Sequence, residues 1–226
     1  MFRWFSLCLI AMLFTQQSSS ITRVVNGGIP GQTTAEIDER VDVGLRTDSP
    51  RVVVLFAGMN DAVNDKKFLS PQVSRMHLAS IIRKCRQSGA RVLLVTVHQP
   101  DSVRLMQRHS REAYGDRPPQ QRIRDLNAEI QSLAAAEHVP IVDFAQALEG
   151  HGGATAEWST DGVHLTAKGY VLLAGVVSEG LHKMGGDLQG VLCLGDSLTF
   201  GIGVRQPGAP DNNETYPSIL SIRLEQ

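Results

Sequence analysis

The sequence predicts an α/β fold. Three observations lead there: short apolar runs without alternation, stretches of helical spacing between most of them, and polar or Gly-rich loops just past several runs. The runs are Thr22–Val25, Val52–Ala57, Val92–Val97, Val139–Val142 and Val191–Leu194. Runs of this kind suit parallel strands buried on both faces. Val73 to Arg86 reads as a helix with Val73, Met76, Leu78, Ile81 and Ile82 on one side and basic residues opposite, stopped by Gly89. Ile123 to Glu137 carries Ile123, Leu126, Ile130, Leu133 and Ala134 as its buried stripe. Ala167 to Met184 is a third helix, ended by Gly185–Gly186, and Tyr216 to Leu224 a fourth. The expected architecture is a three-layer α/β/α sandwich around about five parallel strands.

With 226 residues and 42% apolar content, the chain suits one domain with one core, expected over 21–226. Its 22 basic and 23 acidic side chains leave a formal charge of -1. That balance offers no field for nucleic acid or anionic lipid, so a small, nearly neutral partner is expected. Residues 1–20 stand apart: Arg3 precedes the apolar run Phe5–Phe14, and Thr15–Ser20 are small and polar. The run is short for a bilayer span and reads as a secretory signal, so a secreted or periplasmic protein without strong membrane binding is expected. A buried element of the domain and an uncleaved anchor are the alternatives. Cys8 follows the bulky Leu7 and forms no lipobox. Cys85 and Cys193 match no zinc spacing and are expected as buried free thiols, with a disulfide between them as the alternative. No phosphate loop, haem motif or nucleotide fingerprint occurs.

Four segments carry residue types suited to catalysis. They are Gly195-Asp196-Ser197-Leu198, Asn26-Gly27-Gly28-Ile29-Pro30-Gly31-Gln32-Thr33, Gly58-Met59-Asn60-Asp61 and Asp161-Gly162-Val163-His164. Each alone reads as a turn or a helix cap. All four fall at strand ends or just before a helix, where an α/β sheet gathers its loops.

Together these segments resemble the SGNH hydrolase family, also called GDSL esterases and lipases, from Ser20 to the C-terminus. The run Glu214-Thr215-Tyr216-Pro217 is similar to family members as well. The resemblance implies a flavodoxin-like strand order with Ser197 and Asn60 flanking the switch point. It also implies hydrolysis of carboxylic esters without metal or cofactor. Ser197 is then the nucleophile, His164 its general base, and Asp161 the group that orients the imidazole. The backbone N–H groups of Ser197 and Gly31 and the side-chain amide of Asn60 form the oxyanion hole.

The residue types fit the chemistry. A serine hydroxyl needs a base to take its proton, and histidine, with an ordinary pKa of about 6.5, can take and return it near neutrality. Fixed donors aimed at the oxyanion are each worth roughly 3–4 kcal/mol. The expected substrate is a small-molecule or carbohydrate ester with a short acyl group, O-acetyl sugars included. Lysophospholipase or thioesterase action, acyl transfer, and an inactive binding module on the same fold are the alternatives.

The block order departs from the family, in which Gly-Asp-Ser comes first and Asp-x-x-His last; here Ser197 follows His164. A helix over Ala167–Met184 returns the chain about 27 Å to the far end of the sheet. The linker Gly185–Gly190 then reaches at most about 20 Å, enough to start a strand at Val191. A circularly permuted, monomeric domain is the expectation, with a cut tandem array or a swapped dimer as alternatives.

Other residues invite blander readings. His77, His98, His109, His138, His151 and His182 show no metal-ligand pairing and are expected on the surface or on helices. Trp158 either packs or lines a subsite, and Asp196 is expected to hold loops rather than do chemistry. The Arg- and Pro-rich stretch Gln99–Gln121 reads as a solvated face, with a substrate-selecting lid as the alternative.

Overall fold

The structure, a computed structural model, describes residues 23–226. The expected leader at residues 1–20 and the start of the first expected strand at Thr22 lie outside the described residues. In chain order the elements are β1 (Val24–Gly28), α1 (Thr34–Asp48), β2 (Val52–Phe56), α2 (Met59–Val63), α3 (Pro71–Gln87) and β3 (Arg91–Val95). Next come α4 (Ser102–Leu105), a 3-10 turn (Arg111–Tyr114), α5 (Pro119–Ala136), β4 (Ile141–Val142) and α6 (Phe144–Glu149). The chain closes with α7 (Ala167–Met184), β5 (Val191–Gly195), α8 (Ser197–Phe200) and α9 (Tyr216–Leu224).

The strands form one parallel sheet in the order β1-β5-β2-β3-β4. Counted from β5 as first, the order reads 2-1-3-4-5, the flavodoxin-like arrangement, with its switch point between β5 and β2. Helices α1, α3 and α5 pack side by side on one face, and α6, α7 and α9 pack together on the other. Val52–Phe56 and Val191–Gly195 are buried along their whole length, as strands covered on both faces must be. Phe56 anchors the α6/α9 side, packed edge-on by Phe144 at 5.9 Å and Tyr216 at 6.5 Å. Among the described residues no helix is long and apolar enough to cross a membrane.

Several expectations shift. β1 runs on through Asn26-Gly27-Gly28, expected to lie just past the strand. The glycines belong to the strand because other backbone lies against them: a Cβ on Gly28 would sit 2.1 Å from the Phe200 nitrogen. β4 shrinks to Ile141–Val142, since Pro140 has no N–H and the Val139 N–H turns back to the Ala134 carbonyl. Met76, expected inside, is 59% exposed; Ser74 and Cys85 take the buried stripe with Leu78, Ile81 and Ile82. The stripe expected for α5 is buried throughout. Cys85 and Cys193 are both free and buried.

Helix α1, not expected from the sequence, follows from local rules. Thr33 and Glu36 make a reciprocal capping box, and Ile37, Val41 and Leu45 recur on one face. Gly44 lets that face approach closely, since a Cβ there would stand 3.2 Å from Leu192 of β5.

Backbone cannot yield at Gly28 as a flexible side chain would. Gly28→Ala is therefore expected to cost about 1–3 kcal/mol, read as a lower urea midpoint and Tm. Gly150→Ala, whose new methyl meets nothing closer than 3.5 Å, is the control and should stay within about 0.5 kcal/mol.

Candidate active site

The sheet register sets the site. Gly28 of β1, Gly195 of β5 and Phe56 of β2 lie level across the three strands, so their following loops emerge side by side. Gly195 is demanded by crowding, because a Cβ would lie 2.2 Å from both the Phe56 carbonyl oxygen and Thr199 Oγ1. Asp196 caps the short helix that follows, its Oδ1 accepting from the Leu198 N–H at 2.9 Å. Ser197 thus stands at the head of α8, 6% exposed.

The Asp161–His164 turn delivers the other groups. Gly162 adopts φ +91°, a conformation that L side chains rarely adopt. Asp161 Oδ1 accepts from the N–H groups of Val163 (3.0 Å) and His164 (2.8 Å), and its Oδ2 lies 2.7 Å from His164 Nδ1. His164 Nε2 lies 3.1 Å from Ser197 Oγ. Burial pushes the Asp161 carboxyl up, but the His164 hydrogen bond, its charge and the two backbone donors outweigh it and hold the carboxyl well below the usual range. An ionised Asp161 selects the tautomer that donates from Nδ1, leaving the Nε2 lone pair facing the serine hydroxyl.

Gly31, Asn60, Ser197 and His164 line one open cleft of about 320 Å³, with Met59, Val63, Leu105, Val163 and Ile202 as its apolar wall. The Gly31 turn, at φ +77°, is braced by Lys67, whose Nζ donates to the Gly31 carbonyl at 3.0 Å. Asn60 Nδ2 donates to the Gln32 carbonyl (3.0 Å) and to Asp196 Oδ2 (3.2 Å). Four of the five sequence-identified residues therefore line one cleft, and the fifth, Asp161, joins them through His164. Among the described residues no group of three or more His, Cys, Asp or Glu is placed to hold a metal ion.

Several residues around the site escaped the sequence reading. Arg40 of α1 donates to the carbonyls ending two strands, Gly27 (2.8 Å) and Gly195 (3.0 Å), and to Gln32 Oε1 at 2.5 Å. His98, expected on the surface or on a helix, is on neither: it is fully buried against Phe144 and pairs through Nε2 with the Val163 carbonyl at 2.9 Å. Burial pulls its pKa down to about 4, so it stays neutral near pH 7.

The stretch Gln99–Gln121 is not simply a solvated face. The Asp101 N–H bonds the Gly162 carbonyl (2.8 Å), Arg104 bonds the Ser159 and Ala154 carbonyls, and Arg108 pairs with Asp161. Trp158 is buried between His151 and Lys168 and does not line the cleft.

Asp196 holds its loops by hydrogen bonds, as expected. Burial raises its carboxyl to about 7, against the opposing pull of the Leu198 N–H. Because the folded state binds that proton more tightly than an unfolded chain, the contribution of Asp196 to stability is greatest below pH ~4 and declines as pH rises toward 7. Asp196→Asn removes the decline, so relative to wild type it should gain stability between pH 5 and pH 8 in urea melts. Its amide would face the Asn60 amide donor to donor, so turnover should fall. A stability difference equal at both pH values would show that Asp196 stays ionised.

A family model, that of the GDSL-like lipase/acylhydrolase family, matches residues 10–172. The match takes in Gly31, Asn60, Asp161 and His164 and ends before Ser197. Esterase TesA of Pseudomonas aeruginosa is 32% identical over 144 residues, covering 63% of this chain and 61% of that protein's length. Among solved structures, a GDSL-like lipase from Bacteroides thetaiotaomicron shares 25% identity at a TM-score of 0.57, covering 68% of this chain and 73% of that one. A lipase/acylhydrolase from Enterococcus faecalis shares 29% at 0.55, with 66% and 70% covered. An acetyl xylan esterase variant from Geobacillus stearothermophilus, 20% identical at a TM-score of 0.58 with 70% and 72% covered, shares the fold. On the family match over most of its length, the chain belongs to the GDSL-like lipase/acylhydrolase family, the SGNH hydrolases.

Proposed function

We propose that this chain is a carboxylic ester hydrolase working through an acyl-enzyme on Ser197. The observation that carries the reading is the continuous line from Ser197 Oγ to His164 Nε2 (3.1 Å) and from His164 Nδ1 to Asp161 Oδ2 (2.7 Å), opening into a cleft. In the first half-reaction Ser197 Oγ attacks the ester carbonyl carbon while its proton passes to His164 Nε2. Asp161 stabilises the imidazolium. The carbonyl oxygen, now negative, takes N–H donors from Ser197, Gly31 and Asn60. The alcohol leaves with the proton from His164, and water repeats the sequence to release the acid. An oxyanion must compete with Asp196 for the Asn60 amide, and a protonated Asp196 is the weaker competitor.

The chain order is read as a circular permutation within one monomer, supported by a Ser197 that meets His164 inside the same chain. Residues 1–20 are proposed as a cleaved secretory signal, which intact-mass measurement of exported protein tests.

The substrate is proposed to carry a short acyl group, O-acetyl sugars included. A cleft of about 320 Å³ sits at the small end of ligand sites. Its apolar wall of Met59, Val63, Leu105, Val163 and Ile202 favours a second reading, a longer acyl chain as in lysophospholipids or thioesters. An acetyl-to-dodecanoyl ester series separates the two: a peak at hexanoyl or below supports the first, a peak at decanoyl or above the second.

Wild-type protein should hydrolyse p-nitrophenyl acetate. Ser197→Ala and His164→Ala should each lower turnover by about 10³-fold or more. Asn60→Ala should lower kcat by about 10²-fold. A changed KM at unchanged kcat would contradict its oxyanion role, and a wild type inert to every ester and to a fluorophosphonate would sink the enzyme reading.

A further inference from the structure

Arg108 stands just past α4 with its guanidinium on the wall of the cleft. Its Nη1 donates to Asp161 Oδ2 at 2.5 Å, the same oxygen that takes His164 Nδ1 at 2.7 Å. The other carboxylate oxygen is already occupied by the N–H groups of Val163 and His164. One oxygen therefore serves both a permanent cation and the imidazole that the proposed mechanism must charge.

We infer that Arg108 is a positioning residue that sets the basicity of His164 by sharing Asp161 with it. Two effects act in the same direction. The guanidinium draws on the electron density that would stabilise an imidazolium, and its own charge repels the one forming on the ring. Both effects disfavour the charged form of the ring. The inference rests on His164 being the base.

Other groups face the ring. Ser197 does so from the head of α8; buried Asp196 beside it and buried His98 beyond β3 act on the ring through charge alone, and Tyr170 of α7 feels the charge of Asp161. His109 lines the same cleft, 3.0 Å from Asp65. Of all these only Arg108 carries a positive charge that pH does not alter.

The test is the acid limb of kcat/KM for p-nitrophenyl acetate in wild type, Arg108→Gln and Arg108→Glu. Arg108→Gln should move the limb up by about half a pH unit or more, and Arg108→Glu farther, with plateau kcat within about threefold of wild type. Arg108 is exposed, so both variants should melt near the wild-type temperature; if the Glu variant does not fold, the Gln variant alone carries the sign. A limb that stays in place, or activity lost at all pH in a folded variant, overturns the inference. If the wild type hydrolyses no ester, the proposed function fails separately, and proton NMR titration of the His164 ring in the same proteins still decides whether Arg108 sets it.

Discussion

Three parallel strands ending level, with glycine at the ends of two, are the constraint on which the site depends. Gly28 admits the backbone of α8 and Gly195 admits the Phe56 carbonyl and the Thr199 side chain, and any larger residue at either would drive them away. The loops bearing Gly31, Ser197 and Asn60 leave that edge together, so the distances among their donors follow from strand register. Arg40 then stitches the ends of β1 and β5 to Gln32, and Lys67 braces the Gly31 carbonyl while pairing with Glu36. Donors fixed this way need no reorganisation when charge develops, and that fixity is where electrostatic catalysis gets its strength.

Acids close in sequence to the site residues behave differently because their surroundings differ. Asp161 sits among four hydrogen-bond donors and stays ionised. Asp61 and Asp196 are buried, each pushed up by desolvation, and their mutual repulsion raises Asp196 further. Asp61 spends its carboxylate on structure, accepting from the Thr34 N–H and hydroxyl and from Ser74 Oγ, which ties α1 and α3 to α2. Environment therefore divides the labour: one carboxylate supplies charge, the others supply acceptor geometry.

The sequence carried much of this. Non-alternating apolar runs located all five strands, and four motifs at strand ends or just before a helix named four residues that line the cleft and Asp161, which pairs with one of them. Helix α1 was missed although its signal is local: Thr33, Glu36, Ile37, Val41 and Leu45 satisfy both capping and periodicity. Other features carry no local signal. The pairing of Arg108 with Asp161 spans 53 positions, and no local pattern marks which arginine in a basic stretch will turn inward. His98 looked like any solvated histidine, since its burial depends on Phe144 and on a turn far along the chain. The strand was expected to end at Val25 because Gly27-Gly28 is weak strand composition, and the close backbone approach that requires these glycines is not local information.

Chain order has a physical consequence of its own. Among the described residues β1 pairs only with β5, and β2 has an open edge until β5 arrives, so the strand that joins β1 to the rest of the sheet is also the last in sequence. Open strand edges invite pairing with another copy, and a neighbour's β5 would satisfy the same ladder. The chain counters this at the linker before β5. Arg91 donates to the carbonyls of Gly185 (2.6 Å) and Asp187 (2.8 Å), and the Arg51 N–H bonds the Gly190 carbonyl (2.8 Å). These bonds hold the linker against the starts of β2 and β3. A swapped strand would have to leave those pins or rebuild them across two chains, whereas a strand inserted into its own sheet keeps them all. The same insertion brings Ser197 to His164 and completes the sheet around the Gly31 loop in one step, so the site forms only when the core does.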